Sequence, residues 1–225
     1  MPLMKKPYFI AAVFAVVCAL AIVVVPQAQT SPRVVDHTNI DWFHQIPAEV
    51  LSSIRAKRVI FMDKSVGDNI STGLTCLGGT GVASCNAPMA SLGITPGAQY
   101  NRGNIVYRWF AESGCATWYE LAPCFMAQTG YEISTYQRAM YGISYMEVDT
   151  LQPTQYFDAQ IADYEAYLEA NGLPIVHWTS SLARGQGELA FNVQMRAYAA
   201  ANGRYLFDLA DILSHDLDGM TCTNL

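Results

Sequence analysis

From Tyr156 to Leu209 the chain alternates helix-like and strand-like stretches joined by short Asn-Gly steps, and this alternation restricts the fold more than any other feature. Phe157, Ile161, Tyr164 and Leu168 recur at helical spacing with acids between them, over a helix predicted from Tyr156 to Ala170. Asn171-Gly172 ends it, and Pro174 to Thr179 follows as a strand. A second helix over Leu189 to Ala201 ends at Asn202-Gly203, before a strand from Tyr205 to Leu209. Strands joined through helices by such short connections must run parallel, with the helices covering the sheet.

Upstream the signals are shorter. Ile46 to Ile54 forms a brief helical pattern with a proline near its start, and Arg58 to Met62 is a compact strand run. Ile70, Leu74 and Leu77 return to helical spacing. Gly78 to Gly103 is irregular, Ile105 to Phe110 reads as a strand, and Gly142 to Asp149 as another. Glu112 to Thr129 reads as a disulfide-pinned loop with a short helix. The expectation is a three-layer α/β/α domain with a mostly parallel, five-stranded sheet.

The N-terminus reads as an export signal. Lys5 and Lys6 precede an uncharged stretch from Tyr8 to Val25, and Pro26 to Thr30 is a polar exit. Residues 1–30 are therefore expected to be a signal peptide or a membrane anchor through residues 8–25, with residues 31–225 outside the cytoplasm. The cysteines fit an oxidising compartment. Cys76/Cys85 and Cys115/Cys124 share one spacing and each bracket a Gly- or Pro-containing stretch, which suits local disulfides. The close C-x2-4-C spacing of a zinc site is absent, and no metal or other cofactor is expected. The formal charge is −6, or −8 without Lys5 and Lys6, and no basic run occurs, so nucleic acid is excluded as a partner.

Chemistry is expected beyond the carboxyl ends of the strands. Ser65 stands at the turn between the Arg58–Met62 strand and the next helix, where backbone N–H groups face the same spot. Such a serine is either a nucleophile whose oxyanion those N–H groups hold or simply a helix cap.

Three blocks carry a resemblance: Asp63-Lys64-Ser65-Val66-Gly67-Asp68-Asn69-Ile70, the opening Val34-Val35-Asp36-His37-Thr38-Asn39-Ile40, and the closing Leu206-Phe207-Asp208-Leu209-Ala210-Asp211-Ile212. Together they resemble an exported, divergent branch of the SGNH (GDSL-like) hydrolases, over about Val34 to Gly219. The resemblance implies a flavodoxin-like fold, cleavage of carboxylic esters on carbohydrate or lipid, and Ser65 as nucleophile. Val66, Gly67 and, by position, Gly103 are its candidate oxyanion donors. Two family features are missing. Met146-Glu147-Val148-Asp149 lacks the Gly-x-Asn-Asp asparagine, and Asp218-Gly219-Met220-Thr221 has threonine where the family has its base histidine.

His215, with Asp211 four residues before it, is the substitute pair for base and orienter. His37, His44 and His177 read as structural. The unpaired Cys222 and the missing histidine lead to the expectation that the base and a cysteine partner are encoded further on. Asp216-x-Asp218-Gly219 matches part of a calcium loop but lacks its first ligands and closing glutamate. The alternative to an esterase is an inactive domain of the same fold that binds cell-surface glycan.

Overall fold

A computed structural model describes residues 33–79, 95–110, 115, 118–142, 157, 160–181, 186–215 and 220–221. Within them the chain is mixed α/β, with six α-helices and two parallel sheets of three strands each. The strands are β1 (Val34–Val35), β2 (Val59–Asp63), β3 (Ile105–Trp109), β4 (Arg138–Tyr141), β5 (Val176–Trp178) and β6 (Tyr205–Phe207). One sheet has the order β3-β2-β4 and the other β1-β6-β5, with every pairing parallel. The helices are α1 (Ala48–Arg55), α2 (Ser65–Leu77), α3 (Trp118–Thr129), α4 (Ile161–Ala170), α5 (Gln186–Asn202) and α6 (Leu209–Ser214).

The side-chain alternation of β2 explains why it is central. All five of its residues are buried, with Ile60 and Met62 on one face and Phe61 on the other. Phe61 joins a core with Val35, Met140, Trp178 and Phe207, covered by Ile54 of α1, Ile70, Leu74 and Leu77 of α2, and Leu209 and Ile212 of α6. Ile60 and Met62 join Tyr141 and Leu206 in a second core, covered by Phe125 of α3, Tyr164 and Leu168 of α4, and Phe191 and Met195 of α5. Each core draws on both sheets, and β4 lies beside β5. Trp178 ties the sheets together. It stacks on Phe61 at 4.8 Å between centroids and meets Phe207 edge-on at 4.5 Å. Each such pair contributes about 0.5–1.5 kcal/mol beyond its burial.

Several expectations change against this frame. The sheet is not a single five-stranded one, because Val34–Val35 pairs with β6 as a sixth strand and the hydrogen-bonded ladders form two groups. Two residues were too short a run to register as a strand in the sequence. Arg138–Tyr141 forms β4, which the sequence did not show as a strand, and of the strand expected from Gly142 to Asp149 residues 143–149 lie outside the described ones. Trp118–Thr129 is a full helix despite Pro123, held by the burial of Leu121, Ala122 and Phe125 and by the Cys115–Cys124 disulfide. Cys76 is also disulfide-bonded, while Cys85, Cys222 and residues 1–32 lie outside the described residues. Among the described residues no helix is long and apolar enough to cross a membrane.

Candidate functional site

Two clusters of chemically capable side chains stand beyond the carboxyl ends of strands, one in each sheet. The first is the turn from β2 into α2. Lys64 is the N-cap of α2 and Ser65 its first residue, exposed to solvent. The first intrahelical bond runs from Asp68 N–H to the Lys64 carbonyl, 3.0 Å. The N–H groups of Ser65, Val66 and Gly67 therefore precede the i→i−4 ladder and form the positive end of the helix.

Asp63 closes the turn from below. It is 3% exposed and its carboxylate accepts the Lys64 N–H at 2.6 Å. Tyr107 of β3 donates its hydroxyl to the Lys64 carbonyl at 2.9 Å. Burial, with the charges of Asp63 and Asp68, pushes the Tyr107 phenol far above its ordinary range, so it stays a donor. Two glycines let this turn close. A Cβ on Gly67 would stand 2.8 Å from the Tyr107 ring and closer still to Asp63 Cβ. A Cβ on Gly142, just past β4, would stand 2.6 Å from an Asp63 carboxylate oxygen.

Gly103 is not part of this turn. It precedes β3, which runs parallel to β2 with Ile105 opposite Val59, so Gly103 lies at the opposite end of the sheet from Ser65. Its φ of 61° and the approach of the Arg55 carbonyl explain the glycine there. Val66 and Gly67 remain at the turn as backbone donors.

The second cluster sits behind β1 and β6. Asp36 and Asn39 close the turn after β1. The Asp36 carboxylate accepts the Thr38 N–H at 2.9 Å, and the Asn39 amide donates to the Val34 carbonyl at 3.0 Å. His37 is thereby presented at the turn's edge. Behind β6, Asp208 caps α6 by accepting the Asp211 N–H at 3.1 Å. Asp208 is itself clamped by Thr179 at 3.0 Å and by Arg196 at 2.8 Å.

The pairing of β1 with β6 then sets His37 against α6. Asp211 Oδ1 accepts the His37 main-chain N–H at 3.0 Å and also meets His37 Nδ1. His215 Nδ1 is 3.7 Å from Asp211 Oδ2 and 2.8 Å from the Asp211 carbonyl. The two imidazoles stack, with centroids 3.7 Å apart and planes 12° apart. Burial by itself would raise the Asp211 carboxyl. The His37 N–H, the His37 ring and the charges of both histidines outweigh it and hold the group below its ordinary value.

Asp211 and His215 are thus brought together as expected from their spacing, and His37 joins them. In the sequence His37 reads as structural, because its partner is 174 positions away. The Asp-His-Thr-Asn turn signature directly after a strand was the available clue. Thr221 forms an antiparallel bridge with His215. Among the described residues no hydrogen bond or ion pair links Ser65 to any of these groups, and Asp218 and Gly219 lie outside them.

The other histidines do not join either cluster. His177 is buried on β5, bonded to Glu165 at 2.8 Å, with Arg204 donating to the same carboxylate at 2.6 Å. His44 packs edge-on to Phe43. No match is found among protein-family models, curated proteins or solved structures, so the chemistry of these two clusters stands on their geometry alone.

Proposed function

We propose that the chain is an exported serine esterase of SGNH type, acting on acyl groups of carbohydrate or lipid. The observation that carries this reading is the exposed hydroxyl of Ser65 in the first turn of a thirteen-residue helix, directly behind the fully buried β2. The finer fold belongs to the same proposal. With β4 beside β5, the two sheets continue one another as β3-β2-β4-β5-β6-β1. Leaving out β1, this is the flavodoxin-like order in which a ligand binds where the strand order reverses, between β2 and β4. Ser65 follows β2, and Gly142, which leaves room for Asp63, follows β4.

In this reading Ser65 Oγ attacks the ester carbonyl carbon and the carbonyl oxygen becomes an oxyanion. The N–H groups of Val66 and Gly67 lie at the positive end of α2 and supply its donors. A histidine takes the serine proton and returns it to the leaving alcohol, so no cofactor is required. No histidine touches Ser65 among the described residues, so the test must read the serine itself. Wild type and Ser65→Ala are treated with a fluorophosphonate probe, and hydrolysis of a short-chain nitrophenyl ester is followed. Labelling and turnover confined to the wild type are expected. Equal labelling of Ser65→Ala would overturn the assignment. The missing contact between Ser65 and a histidine favours the second reading, a non-catalytic domain that binds glycan, and an unlabelled wild type that binds polysaccharide would support it.

A further inference from the structure

Three metal-capable side chains from distant parts of the sequence meet behind β1 and β6: His37, Asp211 and His215 each place one ligand atom within 4.8 Å of the others. Their side chains are 24%, 23% and 18% exposed, so an ion can reach them while water is partly excluded. We propose that these three residues form a binding site for a divalent first-row transition ion, with Zn2+ as the probe. The site uses Asp211 and His215, the pair expected as base and orienter, but ion binding there does not rest on the Ser65 reading.

The donor set decides the class of ion. Two imidazole nitrogens and one carboxylate oxygen suit zinc, cobalt, nickel or iron(II), whereas calcium and magnesium require mostly oxygen. Bonds of about 2.0–2.2 Å to a shared ion place neighbouring ligand atoms roughly 3–3.5 Å apart. The 3.7 Å between His215 Nδ1 and Asp211 Oδ2 is within a few tenths of that range. Asp211 Oδ1 is held by the His37 main-chain N–H at 3.0 Å, which leaves Oδ2 to face an ion. Support from behind is firm. Asp208, gripped by Arg196 and Thr179, fixes the first turn of α6, and the Asp36–Asn39 turn fixes His37. Outer contacts of this kind orient metal ligands. Arg196 directs its bonds to Asp208, and among the described residues Asp211 forms ion pairs with the two histidines alone.

One movement is required. An ion lies in the plane of each imidazole it binds, and two nearly parallel rings 3.7 Å apart cannot share one. Binding therefore turns one ring out of the stack about its χ2 and displaces the proton from each ligating nitrogen, which passes to buffer. Three protein ligands leave a coordination position open for water or a small anion. A base and orienter need only one imidazole with Asp211, the expected His215. The second imidazole directed at the same carboxylate is what a metal site uses and a proton relay does not.

The test is titration calorimetry of the metal-stripped full chain with Zn2+ in a non-chelating buffer at pH 7.5. One ion per chain is expected, with at least tenfold weaker binding in His37→Gln and in His215→Gln and no change in the exposed His44→Gln. Thermal melts of the metal-free variants check that they fold. Should either fail to fold, wild-type NMR with substoichiometric Co2+ decides. Broadening of the His37 and His215 ring protons ahead of the His44 ring supports the site. Absence of saturable Zn2+ binding, an isotherm shared by wild type and the His37→Gln/His215→Gln double variant, or Co2+ broadening centred elsewhere would each overturn it.

Discussion

Gly67→Ala tests whether the turn under Ser65 is as tightly closed as its geometry requires. In an ordinary helix this change is favourable by about 1 kcal/mol, because alanine loses less backbone freedom. At position 67 the new methyl would stand 2.8 Å from Tyr107 Cε2 and 3.1 Å from Asp63 Cγ, and closer still to Asp63 Cβ. Ordinary carbon contacts begin near 3.4–4 Å. The neighbours cannot easily retreat. Asp63 ends a strand buried along its whole length, and Tyr107 is tied to the Lys64 carbonyl. Overpacking costs about 1–3 kcal/mol; contacts this far inside van der Waals distance put position 67 in the upper half of that range, and subtracting the propensity gain of about 1 kcal/mol leaves a net loss of roughly 1–2 kcal/mol. Urea unfolding followed by circular dichroism measures it, with Asn69→Ala, an exposed site in the same helix, as the control. The control should be neutral or slightly stabilising. Fluorophosphonate labelling of Ser65 should fall in Gly67→Ala, since the turn must shift to admit the methyl. A Gly67→Ala protein as stable as wild type would refute the reasoning.

The remaining predictions concern the supporting structure. Glu165→Ala should cost about 1–3 kcal/mol in urea melts, because it leaves the buried His177 without its hydrogen-bond partner and removes the carboxylate that Arg204 grips. Burial holds the His177 imidazole below its ordinary value, and the His177 and Arg204 bonds hold Glu165 below its own despite burial. The unfolded chain therefore takes up protons before the folded one as pH falls from about 6.5 through about 4.5. Both contributions are complete at pH 7.5 and diminish on acidification, so the urea midpoint should drop between pH 7.5 and 5.5. His177→Gln should flatten the upper part of that slope, and a level wild-type profile would count against the burial argument. Breaking the Cys115–Cys124 bridge with Cys115→Ser should cost about 2–3 kcal/mol by loop entropy for a separation of 9, read as a lower melting temperature under non-reducing conditions. Asp208→Ala should cost about 2–4 kcal/mol, since it removes the α6 cap and leaves Arg196 and Thr179 without their partner.

Legibility in the sequence follows the range of the interaction that makes each element. The β2 strand and the α4 and α5 stripes depend on residues within one turn or pleat, and periodicity located all three. In the sequence α3 reads as a pinned loop with only a short helix, because Pro123 and the bracketing cysteines are local signals of irregularity. The burial of Phe125 that overrides them comes from Tyr141 and Tyr164, which local pattern does not register. β1 has two residues and exists because β6 offers it a free edge, with Leu206 N–H bonding to the Arg33 carbonyl at 2.7 Å and Asp208 N–H to the Val35 carbonyl at 2.8 Å.

The site divides along the same line. Ser65 was legible because a strand, a serine and a glycine two positions later form one contiguous turn. Asp211 and His215 were legible as a pair because four residues along a helix bring side chains together. His37 was not, since its place beside Asp211 depends on the edge pairing of β1 with β6. That pairing also accounts for the economy of the opening block. Asp36 and Asn39 spend their side chains closing a turn, Val34 and Val35 supply the strand, and the His37 side chain meets the Asp211 carboxylate of α6. A turn built only to end a strand needs no imidazole at that position. The imidazole there, held against Asp211 and stacked on His215, is the feature of this edge for which the proposed ion site gives a use.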